Sequence, residues 1–228
     1  MICKSFMTAL AALAVATLST EPLQAATITF DDVGISGFFL SQNCCDVPGL
    51  DLSFRGVNSV GNGATAVPSL TFWRSGTSGY SYGDLGDVAY VGPPGVAGEI
   101  RFDVQGSNTL TLNSIDFGSG QGIARSSQVN IFDLSYNLLF SSSFTVPASG
   151  RTSVLLGNFS DSSGLILQFG PDGYEVAIDN IRYDLNPFVA GVPESASWGM
   201  MIIGFAIVGG AMRRAGCISS HRARDMAR

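Results

Sequence analysis

The chain has 228 residues, room for one ordinary domain together with targeting segments. Only 13 % of the residues are charged and the apolar fraction is 46 %, so a core can form and disorder is excluded. The formal net charge is −6, and between Ala26 and Val192 six Arg and no Lys face fifteen carboxylates, which excludes a surface for nucleic-acid phosphates.

The first element in chain order is a secretory signal peptide over residues 1–25. Lys4 supplies the basic end, Phe6 to Leu18 the apolar core, and Leu23-Gln24-Ala25-Ala26 a small-residue exit with cleavage expected after Ala25. The apolar run is short of the roughly 20 residues that a membrane span needs.

Residues 26–185 read as a β-sandwich domain. Short runs that alternate apolar and polar side chains are separated by Gly, Ser, Asn and Pro: ATITFDD, LDLSFRGV, SLTFWR, VAYV, GEIRFDV, TLTLNSIDF, SQVNIFDL, LLFSSSFTV, TSVLLGNF, GLILQF and YEVAIDNIRY. In the fifth run Ile100, Phe102 and Val104 alternate with Glu99, Arg101 and Asp103, which puts one face in a core and the other in water. This number of strands predicts an all-β, two-sheet antiparallel sandwich of jelly-roll type. A hairpin is expected with Ser135-Tyr136-Asn137 at its tip.

The domain's chemistry is narrow. The sole histidine, His221, lies in the C-terminal tail, so residues 26–185 cannot host a Ser-His-Asp or Cys-His arrangement or an imidazole metal site. Without Lys, Schiff-base and Ser-Lys mechanisms go as well. The expectation is a protein that is not an enzyme. The alternative is a glycoside-hydrolase-type enzyme acting on polysaccharide through two carboxylates, with Glu99, Asp103, Asp116 and Glu175 as candidates.

Asp31 and Asp32 end the first strand and Asp179 lies in the last. This pattern resembles carbohydrate-binding jelly rolls in which paired terminal strands hold a structural calcium ion; hard oxygen ligands suit that metal. The competing role for these acids is turn formation. Asp84 and Asp87 form a fainter second candidate. Cys44 and Cys45 are adjacent, and a vicinal disulfide, an intermolecular link and two free thiols are all open. Trp73, Tyr80 and Tyr82 sit in an aromatic-rich stretch and are candidates for stacking on sugar rings; packing at the core edge is the competing role.

Residues 186–192 form a linker, and 215–228 a basic tail expected in the cytoplasm. Between them Trp198 to Met212 is an apolar run closed by Arg213 and Arg214, which fits a short transmembrane helix with its basic end inside. Pro193-Glu194, Trp198, the Met-Met and Gly-Gly pairs and Arg213-Arg214 together resemble the PEP-CTERM sorting signal of Gram-negative bacteria, here residues 193–214. Position 195 is Ser where the family motif has a second Pro. The resemblance implies recognition of Pro193 and Glu194 by exosortase in the inner membrane. It also implies delivery to the cell surface or matrix, where exopolysaccharide or biofilm is a partner.

Overall fold

The computed structural model describes residues 25–31, 33–74, 81–187, 201–203 and 205–206. The signal peptide, Asp32, Tyr80, Pro193, Glu194, Trp198, Arg213, Arg214 and the basic tail lie outside the described residues. Residues 201–203 and 205–206 are helical, and no helix among the described residues is long and apolar enough to cross a membrane.

Twelve strands form two antiparallel sheets: β1 (Ala25–Ile28), β2 (Leu50–Val57), β3 (Thr65–Val67), β4 (Thr71–Arg74), β5 (Asp87–Tyr90), β6 (Ala97–Val104), β7 (Asn108–Ser119), β8 (Arg125–Asp133), β9 (Leu138–Val146), β10 (Arg151–Asp161), β11 (Gly164–Gly170) and β12 (Val176–Pro187). The first sheet runs β10-β7-β12-β5-β4, with β1 also on β12; the second runs β3-β2-β6-β11-β8-β9. The expected jelly-roll-type sandwich is what forms. β1 pairs with β12 over residues 181–184 and β5 pairs at Ile178, so the two lie end to end along one edge of β12. Because Ala25 faces Asp184, both ends of the domain leave from the same pole.

Alternation explains the layers. Ile100 and Phe102 of β6, Leu165, Leu167 and Phe169 of β11, Ile115 and Phe117 of β7 and Ile178 of β12 meet in one buried core between the sheets. Phe117 stacks on Phe144 at 4.5 Å and meets Phe169 edge-on at 6.5 Å. Gly98, opposite Phe169 in register, leaves the space that this ring fills: a Cβ at position 98 would lie 2.2 Å from it. Gly98→Ala is therefore expected to lower stability by about 1–3 kcal/mol through overpacking. A urea unfolding curve checks this.

The β8–β9 hairpin forms as expected, with Tyr136 at positive φ in its turn. Cys44 and Cys45 are joined to each other in a vicinal disulfide. β12 runs on to Pro187, two residues into the segment expected to be linker.

Candidate functional site

The outward face of the second sheet carries a polar row built by strand register. Arg55 of β2 faces Glu99 of β6, Glu99 faces Gln168 of β11, Gln168 faces Asn130 of β8, and Asn130 faces Ser141 of β9. Glu99, Gln168 and Asn130 are at most 2 % exposed although they point away from the core. Two loops roof Glu99 and Gln168. The segment between β2 and β3 is clamped where Gln168 Oε1 accepts the Gly61 N–H and Gln168 Nε2 donates to the Gly61 carbonyl, both at 2.7 Å. From the hairpin turn, the Tyr136 hydroxyl reaches both Arg55 and Glu99.

Under this roof the charges are matched. Arg55 holds Glu99 through two nitrogens, at 2.5 and 3.2 Å, and Gln168 Nε2 donates to the other side of the carboxylate at 2.6 Å. The hydrogen bond to Glu99 pushes the Arg55 guanidinium above its ordinary pKa, and burial followed by the Glu99 charge pushes the Tyr136 hydroxyl up. This end of the row is a closed structural network.

The other end is open. Gln128 Nε2 donates to Asn130 Oδ1 at 2.9 Å and to Ser141 Oγ at 2.7 Å, while the buried Nδ2 of Asn130 has no protein partner. Gln128 also lines a shallow groove of about 360 Å³ with Ser126, Ser143, Thr145 and Pro171. These side chains carry no formal charge. Hydroxyls donate and accept, and the amide does both at fixed positions, so the groove suits a hydroxylated ligand. Gln128, Asn130 and Gln168 are not singled out by the sequence, and nothing in their spacing distinguishes a binding row from an ordinary solvated one.

The carboxylate candidates distribute differently. Glu99 and Asp103 lie four residues apart on β6, about 13 Å along a strand, beyond the roughly 5–10 Å used by glycosidases. Each is held by an arginine, Asp103 by Arg101 at 2.9 Å. Glu175 pairs with Arg125 at 3.0 Å, and Asp87 with Arg74 at 3.3 Å.

Asp116 of β7 and Asp179 of β12 are direct cross-strand partners, a juxtaposition that sequence spacing did not mark. Both are buried on the outer side of the first sheet. Asp116 accepts the Ser153 hydroxyl at 2.6 Å, with Arg182 at 3.3 Å and Arg151 at 3.7 Å around it. Asp179 accepts the Phe30 N–H at 3.2 Å, and burial, aided by Asp31 and Asp116, raises its pKa to about 6. Among the described residues no group of three or more His, Cys, Asp or Glu is placed to hold a metal.

The aromatic candidates separate. Tyr82 is 1 % exposed, which corrects its expected role as a stacking platform. The stretch around it folds back on the first sheet, where Tyr82 pairs with Gly120 and its hydroxyl donates to the Tyr174 carbonyl at 2.9 Å. Trp73 is half-buried and meets Tyr90 edge-on at 6.5 Å. Phe38 and Phe39, which the sequence reading did not single out, are exposed at 65 % and 56 %. They border a cavity of about 440 Å³ with Val67, Thr71, Tyr90 and Pro93.

No protein-family model and no curated protein matches the chain significantly. Among solved structures it is similar to a CBM4 structure, with 14 % identity, a TM-score of 0.28 and coverage of 52 % of this chain and 86 % of that one. It is also similar to the Podospora anserina GH26-CBM35 β-(1,4)-mannanase, with 17 % identity, a TM-score of 0.32 and coverage of 64 % and 29 %. A third is the Phanerochaete chrysosporium exo-β-1,3-galactanase, with 18 % identity, a TM-score of 0.28 and coverage of 54 % and 30 %. The chain thus spans less than a third of either enzyme. These TM-scores are too low to bear on ligand or reaction.

Proposed function

We propose that this chain is an exported, non-catalytic glycan-binding protein of the cell surface or extracellular matrix, sorted by exosortase through residues 193–214, and that it binds glycan on the outward face of its second sheet. The observation that carries the binding role is the open end of the polar row. There Gln128 connects a groove lined by uncharged side chains to the unpartnered amide of Asn130. Gln128 is the side chain that a ligand in the groove would meet, with Asn130 and Ser141 fixing its amide from behind.

The purified full chain is expected to be retarded in native gels containing a polysaccharide it recognises. Gln128→Ala should weaken that retardation at least tenfold while the domain stays folded, its melting temperature falling only by what the lost hydrogen bond to Asn130 costs. If the wild-type chain migrates freely through every polysaccharide tried, the binding role is wrong.

Sorting has its own measurement, the intact mass of the protein from its native envelope. A species running from about Ala26 to Pro193 or Glu194 is expected. A species that keeps Trp198 to Arg228 would make the C-terminal stretch a plain anchor.

The carboxylate-enzyme alternative draws on Asp116 and Asp179, the pair that register brings together. Release of reducing ends from a polysaccharide by the wild-type chain, abolished in Asp116→Asn, would establish it in place of the binding role.

A further inference from the structure

Every arginine of the described domain already has a carboxylate. Arg55 holds Glu99 at 2.5 Å, Arg74 Asp87 at 3.3 Å, Arg101 Asp103 at 2.9 Å and Arg125 Glu175 at 3.0 Å. Arg151 and Arg182 share the buried Asp116, at 3.7 and 3.3 Å. The sequence has no lysine after Lys4. Among the described residues no charged side chain lines the groove on the second sheet.

From this we propose that the groove on the second sheet takes a neutral polysaccharide, a polymer of sugars bearing only hydroxyl and ether oxygens, and rejects polymers bearing uronate, sulfate or phosphate. The proposal rests on the glycan-binding reading above and names the ligand's charge class.

Two physical arguments support it. An anionic polymer finds no cation in the groove lining, and drawing an arginine away elsewhere breaks an ion pair. At Arg55 that strands Glu99, whose side chain is 3 % exposed, as an uncompensated buried charge. At Arg151 or Arg182 it strips a partner from Asp116, which is fully buried. If the anion captures no arginine, it approaches a domain of fifteen carboxylates and six arginines, and repulsion acts over a screening length of about 8–10 Å at physiological salt.

A neutral polymer meets neither obstacle. Its hydroxyls exchange hydrogen bonds with the Gln128 amide and the Ser126, Ser143 and Thr145 hydroxyls, and Pro171 offers an apolar surface to the carbon-bound hydrogens of a sugar ring. Uncharged contacts of this kind also make the affinity insensitive to salt.

The test is affinity electrophoresis of the full chain against a neutral set (a β-glucan, a mannan, a galactan) and an acidic set (alginate, polygalacturonate). Each is run at about 20 mM and about 500 mM sodium chloride, which shortens the screening length several-fold. The expected result is binding to at least one neutral polymer that changes less than twofold between the two salts and weakens at least tenfold in Gln128→Ala, with acidic polymers at least tenfold weaker. Binding to an acidic polymer that falls tenfold as salt rises and weakens at least tenfold in Gln128→Ala would overturn the neutral-ligand proposal and leave the glycan-binding reading standing. Failure to bind either set would overturn that reading itself. Binding lost in Phe39→Ala but retained in Gln128→Ala would move the ligand to the apolar cavity beside Phe38 and overturn the placement.

Discussion

Glu99→Ala is expected to lower the stability of the domain by about 2–4 kcal/mol, among the largest effects of any single substitution outside the core. The carboxylate is the common acceptor for Arg55, Tyr136 and Gln168, so its removal leaves several donors short in a region closed to water. Arg55 is about one-quarter exposed (27 %) and recovers some hydration, which keeps the loss below that of a fully buried broken pair. The roof should loosen at the same time, because Tyr136 and the Gly61 segment rest on this network. Urea unfolding gives the free energy. Proteolytic cutting within residues 58–64 at low denaturant reports the loosening. The double variant Arg55→Met/Glu99→Leu should recover part of the loss, since no buried charge is left unpaired although the Tyr136 hydroxyl loses both partners. If Glu99→Ala costs less than about 0.5 kcal/mol, within the range of ordinary surface changes, the network contributes nothing.

Asp179→Asn should act in the opposite direction and depend on pH. The folded protein raises this carboxyl from 3.8 to about 6, chiefly by burial, with Asp31 and Asp116 adding repulsion. A raised acid pKa means that the fold favours the protonated form. The stability associated with that form is fully present below about pH 4 and is lost as pH rises through about 6. Arg182 and Arg151 are engaged with Asp116, the residue opposite. An asparagine keeps an acceptor for the Phe30 N–H and carries no charge to bury. At pH 7.5 Asp179→Asn should exceed the wild type by about 1–3 kcal/mol, allowing for solvent screening, and at pH 4 the two should converge. Melting temperatures measured across this range decide it. A gap that is independent of pH would show that ionisation of Asp179 is not the cause.

The strands were legible because a half-buried strand leaves a period of two in the sequence. β6 shows it plainly, and β3 escaped because three residues are too few to show a period. What the period cannot convey is what lies above the outward side chains. Glu99 and Gln168 carried the mark of solvated residues, yet their covers come from Tyr136, 37 positions from Glu99, and Gly61, 107 positions from Gln168. Tyr82 failed for the same reason, since a segment folded back onto the first sheet buries it. The Asp116–Asp179 pair lies beside a bulge. At Asn180, which has positive φ, β12 changes phase, so that Ile178 and Ile181 both enter the core, while Asp179 and Asp116 keep the pairing that runs back to Val176 and Ser119. Three-residue spacing between two core isoleucines was the one local hint of that irregularity.

β12 sets the distance between the two working ends of the protein. Its twelve residues begin just after the Gly170–Glu175 turn that carries Pro171 of the groove, and they end at Pro187 beside the start of β1. At about 3.3 Å per residue the strand covers roughly 35 Å. Whatever holds the chain through residues beyond 187 therefore grips one pole, while the groove occupies the other. An attachment at that pole would leave the groove at the far end of β12, roughly 35 Å along the strand. Trimming or transfer of the C-terminal stretch would take place too far away to alter the groove, so precursor and processed forms should hold the same polymer equally well.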